Sequence, residues 1–116
     1  MIDVARLDQL LTELDDDHEL IAMVISTYVD QLDPRVAAIR AALSTGDPKQ
    51  VSEAAHALKS SSITLGVSGV AGPAAQLETE ARSGALENAV ELLGRIEAAA
   101  PEARTALLEY AAAIAK

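Results

Sequence analysis

Apolar residues recur every three or four positions along most of this chain, which is the spacing of one face of an α-helix. The longest such run extends from Glu19 to Leu43. Its inward positions are predicted to be Ile21, Ile25, Tyr28, Leu32, Val36, Ile39 and Leu43. No stretch of useful length shows the strict alternation of apolar and polar residues that is typical of a half-buried strand. The pattern therefore predicts an all-α protein.

The first break in the pattern is the acidic run Asp15-Asp16-Asp17. Before it, Asp3 can cap a short helix whose inward positions are Val4, Leu7, Leu11 and Leu14. Asp16 and Glu19 have the spacing of a capping box for the long helix that follows. The acidic run could also hold a cation, but the helix dipole favours such residues at an N-terminus and no further clustered ligands follow. We therefore predict a cap at Asp16 and no metal site.

The clearest break is Ser44-Thr45-Gly46-Asp47-Pro48. Gly46 can end the long helix in a left-handed conformation, Asp47 can cap the next helix, and Pro48 suits its first turn. That helix is expected to run to about Leu65. Gly66 then ends it, and Ser68 is predicted to cap the fourth helix.

Prolines interrupt three of the predicted helices. Pro34 is expected to bend the long helix near Asp30 or to divide it in two. The fourth helix either begins at Pro73 or has distorted first turns; its inward positions are Val70, Ala74, Leu77 and Ala81. Pro101 breaks or kinks the last helix, whose apolar pattern begins with Leu86, Val90, Leu93 and Ile96. We predict an antiparallel four-helix bundle with an additional short N-terminal helix packed over one end.

Length and composition agree with one helical domain over residues 1–116. Half of the 116 residues are apolar, and the chain has no Phe, Trp or Cys. Abundant alanine favours helices that pack closely through small side chains. The absence of cysteine excludes a disulfide framework, a thiol nucleophile and a cysteine zinc site.

The charge balance argues against two classes of partner. The formal net charge is -9, from 18 acidic and 9 basic residues. Nucleic acids and anionic membrane surfaces both require clustered Lys and Arg, whereas the basic residues here are scattered. The N-terminus lacks the pattern of a signal peptide, and no apolar run is long enough to span a bilayer. A cytoplasmic protein is the expectation.

The third predicted helix carries His56 on its polar side. The stripe that includes His56 also contains Lys49, Ser52, Glu53, Lys59, Ser60 and Ile63, whereas Val51, Ala54, Leu58 and Leu65 lie opposite. The imidazole is therefore expected to lie in solvent, where a reacting partner can reach it. From spacing alone, an ordinary surface histidine on an amphipathic helix is the favoured explanation.

The segment from Ala55 to Gly66 resembles the signature of the histidine-containing phosphotransfer (HPt) domain, roughly H-x-L-K-G-S-[SA]-x-x-L-G. The positions in register are His56, Leu58, Lys59, Ser61, Ser62, Leu65 and Gly66, followed by Val70 and Gln76-Leu77-Glu78. One position departs from the family: Ser60 stands where a glycine is usual. Its hydroxyl can hydrogen-bond locally and narrow the approach to the imidazole.

The resemblance implies a role for each of three residues. His56 would accept a phosphoryl group on Nε2, which is feasible because a neutral imidazole has a lone pair near neutral pH. Glu78, at the offset where the family carries glutamate or glutamine, would bind Nδ1–H and orient the ring. Lys59 would stabilise the charge of the phosphoryl group. Ser52, Ser60 and Ile63 are the predicted partner-docking residues.

The resemblance also implies the partners. No nucleotide-binding motif accompanies His56, so the domain is not expected to draw phosphate from ATP itself. The resemblance implies that the phosphoryl group comes from a receiver-domain aspartate, or from a kinase, and passes to a response-regulator aspartate. The implied partners are response-regulator receiver domains and a hybrid sensor histidine kinase. Mg²⁺ would be on the receiver, and this chain is expected to need no cofactor. The chain also resembles the phosphoacceptor module of chemotaxis-type kinases, but its length fits a free-standing, monomeric carrier better.

Two alternatives remain open at this point. The first is a helical interaction module that binds receiver or kinase domains without carrying phosphate, an alternative that Ser60 encourages. The second is a structural bundle that oligomerises through its alanine-rich C-terminal segment.

Overall fold

The computed structural model describes residues 2–115, and these residues form five α-helices without any β-strand. The helices are α1 (Val4–Glu13), α2 (His18–Thr45), α3 (Pro48–Thr64), α4 (Ser68–Arg82) and α5 (Ala89–Ile114). The all-α prediction is confirmed. Within this part of the chain, no helix combines the length and apolar character that a bilayer crossing requires.

Helices α2 to α5 form the bundle. Each of these helices packs against two others: α2 and α4 both contact α3 and α5. Short connections between successive helices give neighbours opposite directions. The largest fully buried side chains are Leu7, Ile21, Ile25, Leu32, Ile39, Val51, Leu58, Leu65, Leu77, Leu92, Ile96 and Leu107. Aliphatic side chains of this size from every helix fill most of the core, and Tyr28 is a buried aromatic residue among them.

The short helix α1 lies across the end of the bundle, as predicted. The backbone N–H of Asp3 donates to the carbonyl of Gly66 at 2.7 Å, and Arg6 Nε donates to the carbonyl of Thr64 at 3.2 Å. On the α5 side, the Tyr110 hydroxyl donates to Asp8 Oδ1 at 2.7 Å. Burial, together with the hydrogen bond and the charge of Asp8, raises the pKa of Tyr110 to about 12, so this donor keeps its proton at neutral pH.

The N-terminal caps of α1 and α3 agree with the sequence, whereas those of α2 and α4 differ from it. Asp3 and Asp47 cap α1 and α3 by accepting backbone N–H bonds. The predicted cap at Asp16 is wrong, because Asp17 Oδ1 accepts from the Leu20 N–H at 3.0 Å. Asp15 and Asp16 instead adopt left-handed backbone conformations with φ of 56° and 57°. They make the reversal between α1 and α2, a conformation that Asp tolerates better than most residues.

The prolines do not divide the helices. Pro34 and Pro101 lie inside the continuous helices α2 and α5, and both are exposed. The carbonyls that lose their helical partners belong to Asp30 and Glu97, which are also exposed and accessible to water. A break in either helix would instead misplace the buried apolar residues on both sides of the proline.

The start of α4 also differs from the prediction. The helix begins at Ser68 and continues through Pro73, with Val67 as the cap residue. Ser68 therefore occupies the first helical position and is not the N-cap. Val67 is fully buried, and its packing fixes the start of the helix in place of a polar cap.

Two predicted inward residues are exposed. Val4 is 51% exposed, and its place in the α1 interface is taken by Leu10. Val90 is 78% exposed, and α5 begins only at Ala89. The inner stripe of α5 is instead carried by Ala89, Leu92, Leu93, Ile96, Ala100, Ala103 and Leu107. Buried alanines define much of this face, and the larger Val90 gave a misleading signal.

Gly66 is required by the way α1 packs on the end of α3. Its backbone is left-handed, with φ of +70°. A Cβ at this position would lie 2.9 Å from Arg6 Cβ and 3.0 Å from the carbonyl oxygen of Asp3. Glycine therefore meets two requirements at this position: it adopts the left-handed backbone conformation without strain, and it lets α1 approach closely because it has no side chain.

We expect Gly66→Ala to lower the free energy of unfolding by about 2 to 4 kcal/mol, because it adds a steric clash to the cost of a left-handed alanine. Gly46→Ala is a matched control: its φ is +71°, but no atom lies within 4 Å of the added Cβ. That variant should lose only about 1 kcal/mol. Urea denaturation measures both, and equal losses would show that α1 shifts away from residue 66 without cost.

Candidate functional site

His56 lies in the middle of α3 on the side that faces solvent. Its side chain is 55% exposed, whereas Ala55 and Leu58 on the opposite face are fully buried. The neighbouring stripe positions are exposed or half-buried, as the helical spacing predicted: Lys49, Ser52, Glu53, Lys59, Ser60 and Ile63. Leu58, Leu65 and Val51 are buried as predicted, and Ala54 is half-buried.

A buried hydrogen bond fixes α3 against α2. Ser62 is fully buried, and its hydroxyl lies 2.7 Å from the Tyr28 hydroxyl. Burial raises the pKa of Tyr28, although the hydrogen bond to Ser62 and the charge of Arg35 oppose this shift. The tyrosine is therefore neutral at physiological pH. Sequence reasoning placed Tyr28 in the core but did not identify its partner, since the two residues are far apart in the chain.

Glu78 projects from α4 towards the imidazole. It is only 2% exposed, and its Oε2 lies 2.7 Å from His56 Nδ1. An ionised carboxylate can only accept hydrogen bonds, so Nδ1 must carry the proton of the neutral ring. The lone pair then belongs to Nε2, the nitrogen that faces away from the carboxylate.

Two cationic side chains also bind the Glu78 carboxylate. Lys59 Nζ lies 2.5 Å from Oε1, and Arg82 Nη2 lies 3.0 Å from Oε2. Burial by itself opposes ionisation of Glu78, but hydrogen bonds from Lys59 and His56 and the charges of Arg82 and Lys59 outweigh it. The net effect lowers the pKa of Glu78, which is therefore a carboxylate at neutral pH.

Arg82 is the site residue that the sequence analysis missed. It follows Glu78 by one helical turn, a spacing at which Glu and Arg commonly pair. Its side chain is 67% exposed, so the guanidinium reaches the edge of the site from solvent. The Glu78–Arg82 spacing was a usable signal, but it gives no hint that the glutamate is buried.

The predicted docking residues share the exposed face with His56. Ile63 is 56% exposed, two turns beyond His56 on α3. The Ser60 hydroxyl lies 3.4 Å from His56 Nε2. The Ser52 hydroxyl donates to the carbonyl of Lys49 at 2.9 Å, on the other side of the histidine. The His56 side chain between them remains 55% exposed.

This arrangement leaves the Nε2 lone pair of the neutral imidazole accessible as a nucleophile, with an ionised carboxylate behind the ring. Within residues 2–115, no group of three or more His, Cys, Asp or Glu side chains is arranged to hold a metal ion.

The structure resembles two solved phosphotransfer structures. The histidine-containing phosphotransfer protein HptB of Pseudomonas aeruginosa superimposes with a TM-score of 0.85 at 26% sequence identity, over 95% of this chain and 93% of that one. The HPT domain of an Hpt sensor hybrid histidine kinase from Shewanella gives a TM-score of 0.68 at 22% identity, over 92% of this chain and 97% of the other. At that lower identity, the second likeness supports the fold alone.

A curated relative is similar over part of the chain. Multistep phosphorelay regulator 1 of Schizosaccharomyces pombe is 39% identical over 69 residues, which is 58% of this chain and 23% of that protein. This chain thus spans less than a quarter of the length of that relative.

The family match covers most of the bundle. The Hpt domain model matches residues 23–112, from the first turns of α2 to the last turns of α5. The matched region includes all of α3 and α4, which carry His56, Lys59, Glu78 and Arg82. This chain therefore belongs to the Hpt domain family.

Proposed function

We propose that this protein is a histidine phosphocarrier of a multistep two-component phosphorelay. His56 accepts a phosphoryl group from the aspartate of one receiver domain and passes it to the aspartate of another. The observation that carries this proposal is the exposed imidazole whose Nδ1 donates to the buried Glu78 carboxylate at 2.7 Å. That bond leaves the Nε2 lone pair available to a docked receiver.

The transfer needs no proton to move. The Nε2 lone pair attacks phosphorus, the N–P bond forms, and the P–O bond to the receiver aspartate breaks with its electron pair leaving on the carboxylate. The ring keeps its Nδ1 proton and gains a positive charge. The Glu78 carboxylate, 2.7 Å from Nδ1, compensates that charge. The onward transfer reverses these steps with a second receiver.

Lys59 and Arg82 give the site its positive charge. A phosphoryl group adds nearly two negative charges to a protein whose formal net charge is already -9. Lys59 lies one turn beyond His56 on α3, from which its ammonium group can interact with both Glu78 and the phosphoryl oxygens. Arg82 holds Glu78 from the α4 side and so acts as a positioning residue.

The receiver supplies the remaining chemistry. Its acidic pocket and Mg²⁺ would neutralise the transferring group, while this chain contributes position and a nucleophile without a cofactor of its own. Ser52, Ser60 and Ile63 form the docking face around the imidazole. We place this exchange in the cytoplasm, between a monomeric carrier, a hybrid sensor histidine kinase and a response regulator. The carrier itself has no ATP-dependent kinase activity.

One observation favours a second candidate, an interaction module that binds a receiver without accepting phosphate. The Ser60 hydroxyl lies 3.4 Å from Nε2, where a glycine would leave the nitrogen uncovered. In that case His56 would be a surface contact only.

Incubation with phosphorylated receiver domains from the same genome tests the phosphocarrier proposal. We expect the wild-type protein to gain one acid-labile phosphoryl group, measured by intact mass at neutral pH, and His56→Gln to gain none. The His18→Gln variant is a control for an exposed histidine outside the site. Transfer to His56→Gln, or no transfer to the wild type from any receiver, would contradict the proposal.

We expect Lys59→Ala to slow phosphoryl transfer about ten-fold, the size typical of a lost hydrogen bond to a charged group. Lys49→Ala is a matched control, since Lys49 is an exposed lysine on the same helix. Circular dichroism should show both variants folded, and rapid-quench assays measure the rates. Equal rates for Lys59→Ala and the wild type would remove this lysine from the site.

The lowered pKa of Glu78 predicts how stability depends on pH. Because the folded-state pKa lies below the ordinary value of 4.5, the ionised carboxylate stabilises the fold above that pH, and this contribution is lost as the pH falls through the folded-state pKa. Glu78→Gln should therefore be less stable than the wild type by about 1 to 3 kcal/mol at pH 7, with a smaller difference at pH 3.

Denaturant unfolding at both pH values measures this difference. The exposed Glu53→Gln on α3 is the control, and its stability should stay close to that of the wild type at pH 7. A Glu78→Gln difference that is the same at pH 7 and pH 3 would show that the charge of Glu78 does not contribute.

A further inference from the structure

The hydroxyl groups on α3 differ in what they bind. Ser52 donates to the carbonyl of Lys49, Ser61 to the carbonyls of Ala57 and Leu58, and Thr64 to the carbonyl of Ser60. These bonds to the preceding turn are the usual choice for hydroxyl groups inside a helix. Ser62 is buried and pairs with Tyr28. Ser60 is different, because its hydroxyl is directed at the ring of His56.

The direction of the Ser60 hydrogen bond follows from the other side of the ring. Nδ1 donates a hydrogen bond to the ionised Glu78, so in the neutral ring Nε2 has a lone pair and no hydrogen. In that form of the ring Ser60 is the donor, and it donates to the same lone pair that attacks phosphorus. The resting imidazole is held on both sides, by a carboxylate at Nδ1 and a hydroxyl at Nε2.

The bond from Ser60 to the resting ring is weak. At 3.4 Å it exceeds the usual length of a hydrogen bond from a hydroxyl group, and both side chains are exposed to competing water. A phosphoryl group on Nε2 would add anionic oxygens on the side of the ring where this hydroxyl lies. Donation to an anionic oxygen is charge-assisted, with shorter and roughly twice as strong bonds as between neutral groups.

We propose that Ser60 is a phosphoryl-binding residue that prolongs the lifetime of phosphorylated His56. The inference rests on the proposed phosphocarrier function and extends it to a residue that departs from the family signature. In the resting protein the Ser60 hydroxyl donates weakly to Nε2; after phosphorylation it donates to a phosphoryl oxygen. Because the second bond is the stronger one, Ser60 stabilises the loaded carrier more than the empty one.

Spontaneous loss of the phosphoryl group should respond to this bond. In hydrolysis, water attacks phosphorus, the N–P bond breaks, and its electron pair returns to Nε2. The transition state is loose and resembles metaphosphate, with the N–P bond largely broken, so the group moves away from the ring and from a hydroxyl held beside Nε2. A donor to its oxygens therefore stabilises the starting state more than the transition state, and hydrolysis slows.

Chemical loading separates this role from receiver docking. Phosphoramidate is a small phosphodonor that transfers its phosphoryl group to histidine and releases ammonia, so no protein partner contacts Ser60. Phosphoramidate would be used to phosphorylate four proteins: the wild type, Ser60→Ala, Ser60→Gly and Ser60→Thr. Desalting then removes the excess reagent. Intact mass spectrometry at neutral pH then follows the loss of phosphate from each protein. Thr64→Ala is the control for an α3 hydroxyl that binds only backbone.

We expect Ser60→Ala and Ser60→Gly to lose phosphate about five-fold faster than the wild type. Ser60→Thr, which keeps the hydroxyl, should restore a long lifetime, and Thr64→Ala should behave as the wild type. An equal or longer lifetime for Ser60→Ala would overturn the inference, since the hydroxyl would then not hold the phosphoryl group. Faster loss from Thr64→Ala as well would also overturn it, because the effect would not be specific to Ser60.

The two proposals fail in different ways. If no receiver exchanges phosphate with the wild type, the phosphocarrier function fails, yet phosphoramidate still loads an accessible His56 and the lifetimes remain measurable. If receivers exchange phosphate normally but the lifetimes of wild type and Ser60→Ala agree, only the role of Ser60 fails. Loading of His56→Gln identifies any phosphate carried elsewhere on the chain.

Discussion

One buried carboxylate organises the functional face of this protein. Glu78 is 2% exposed, and such burial would favour its protonated form if it had no partners. Lys59 and Arg82 supply positive charge and His56 supplies a ring N–H, so the pKa of Glu78 is lowered and its ionised form is the more stable one at neutral pH. The same bond assigns the proton of the imidazole to Nδ1. The ionised state of Glu78 and the tautomer of the neutral ring thus both follow from the contacts that this carboxylate makes with α3 and with Arg82 on α4.

The bundle serves that contact by fixing α3 on three sides. Tyr28 on α2 binds the fully buried hydroxyl of Ser62, and α4 brings Glu78 to the middle of α3. At the far end, α1 lies so close to Gly66 that no side chain fits there. An exposed imidazole on a helix held by contacts of this kind suits a carrier, because a partner can dock without rearranging the site.

The site combines the arrangement that the family signature implies with one local difference. The Hpt domain family match spans residues 23–112, and the geometry of His56, Lys59 and Glu78 is what the proposed transfer requires. Ser60 adds a hydroxyl group next to the nucleophilic nitrogen. In the proposed role, Ser60 reduces access to Nε2 in the resting protein and lengthens the lifetime of phosphorylated His56.

The sequence by itself determined the helices and the exposed side of α3, because apolar spacing reports which face of each helix is buried. It did not determine the continuity of α2 through Pro34 or the exposure of Val90, since packing against neighbouring helices decides both. The cap at Asp17 depended on a left-handed reversal that composition does not specify. Glu78 is the clearest case: the family resemblance placed it near His56, but a glutamate is ordinarily a surface residue. Only the tertiary structure, which brings partners from α3 and α4 around one carboxylate, made its burial possible.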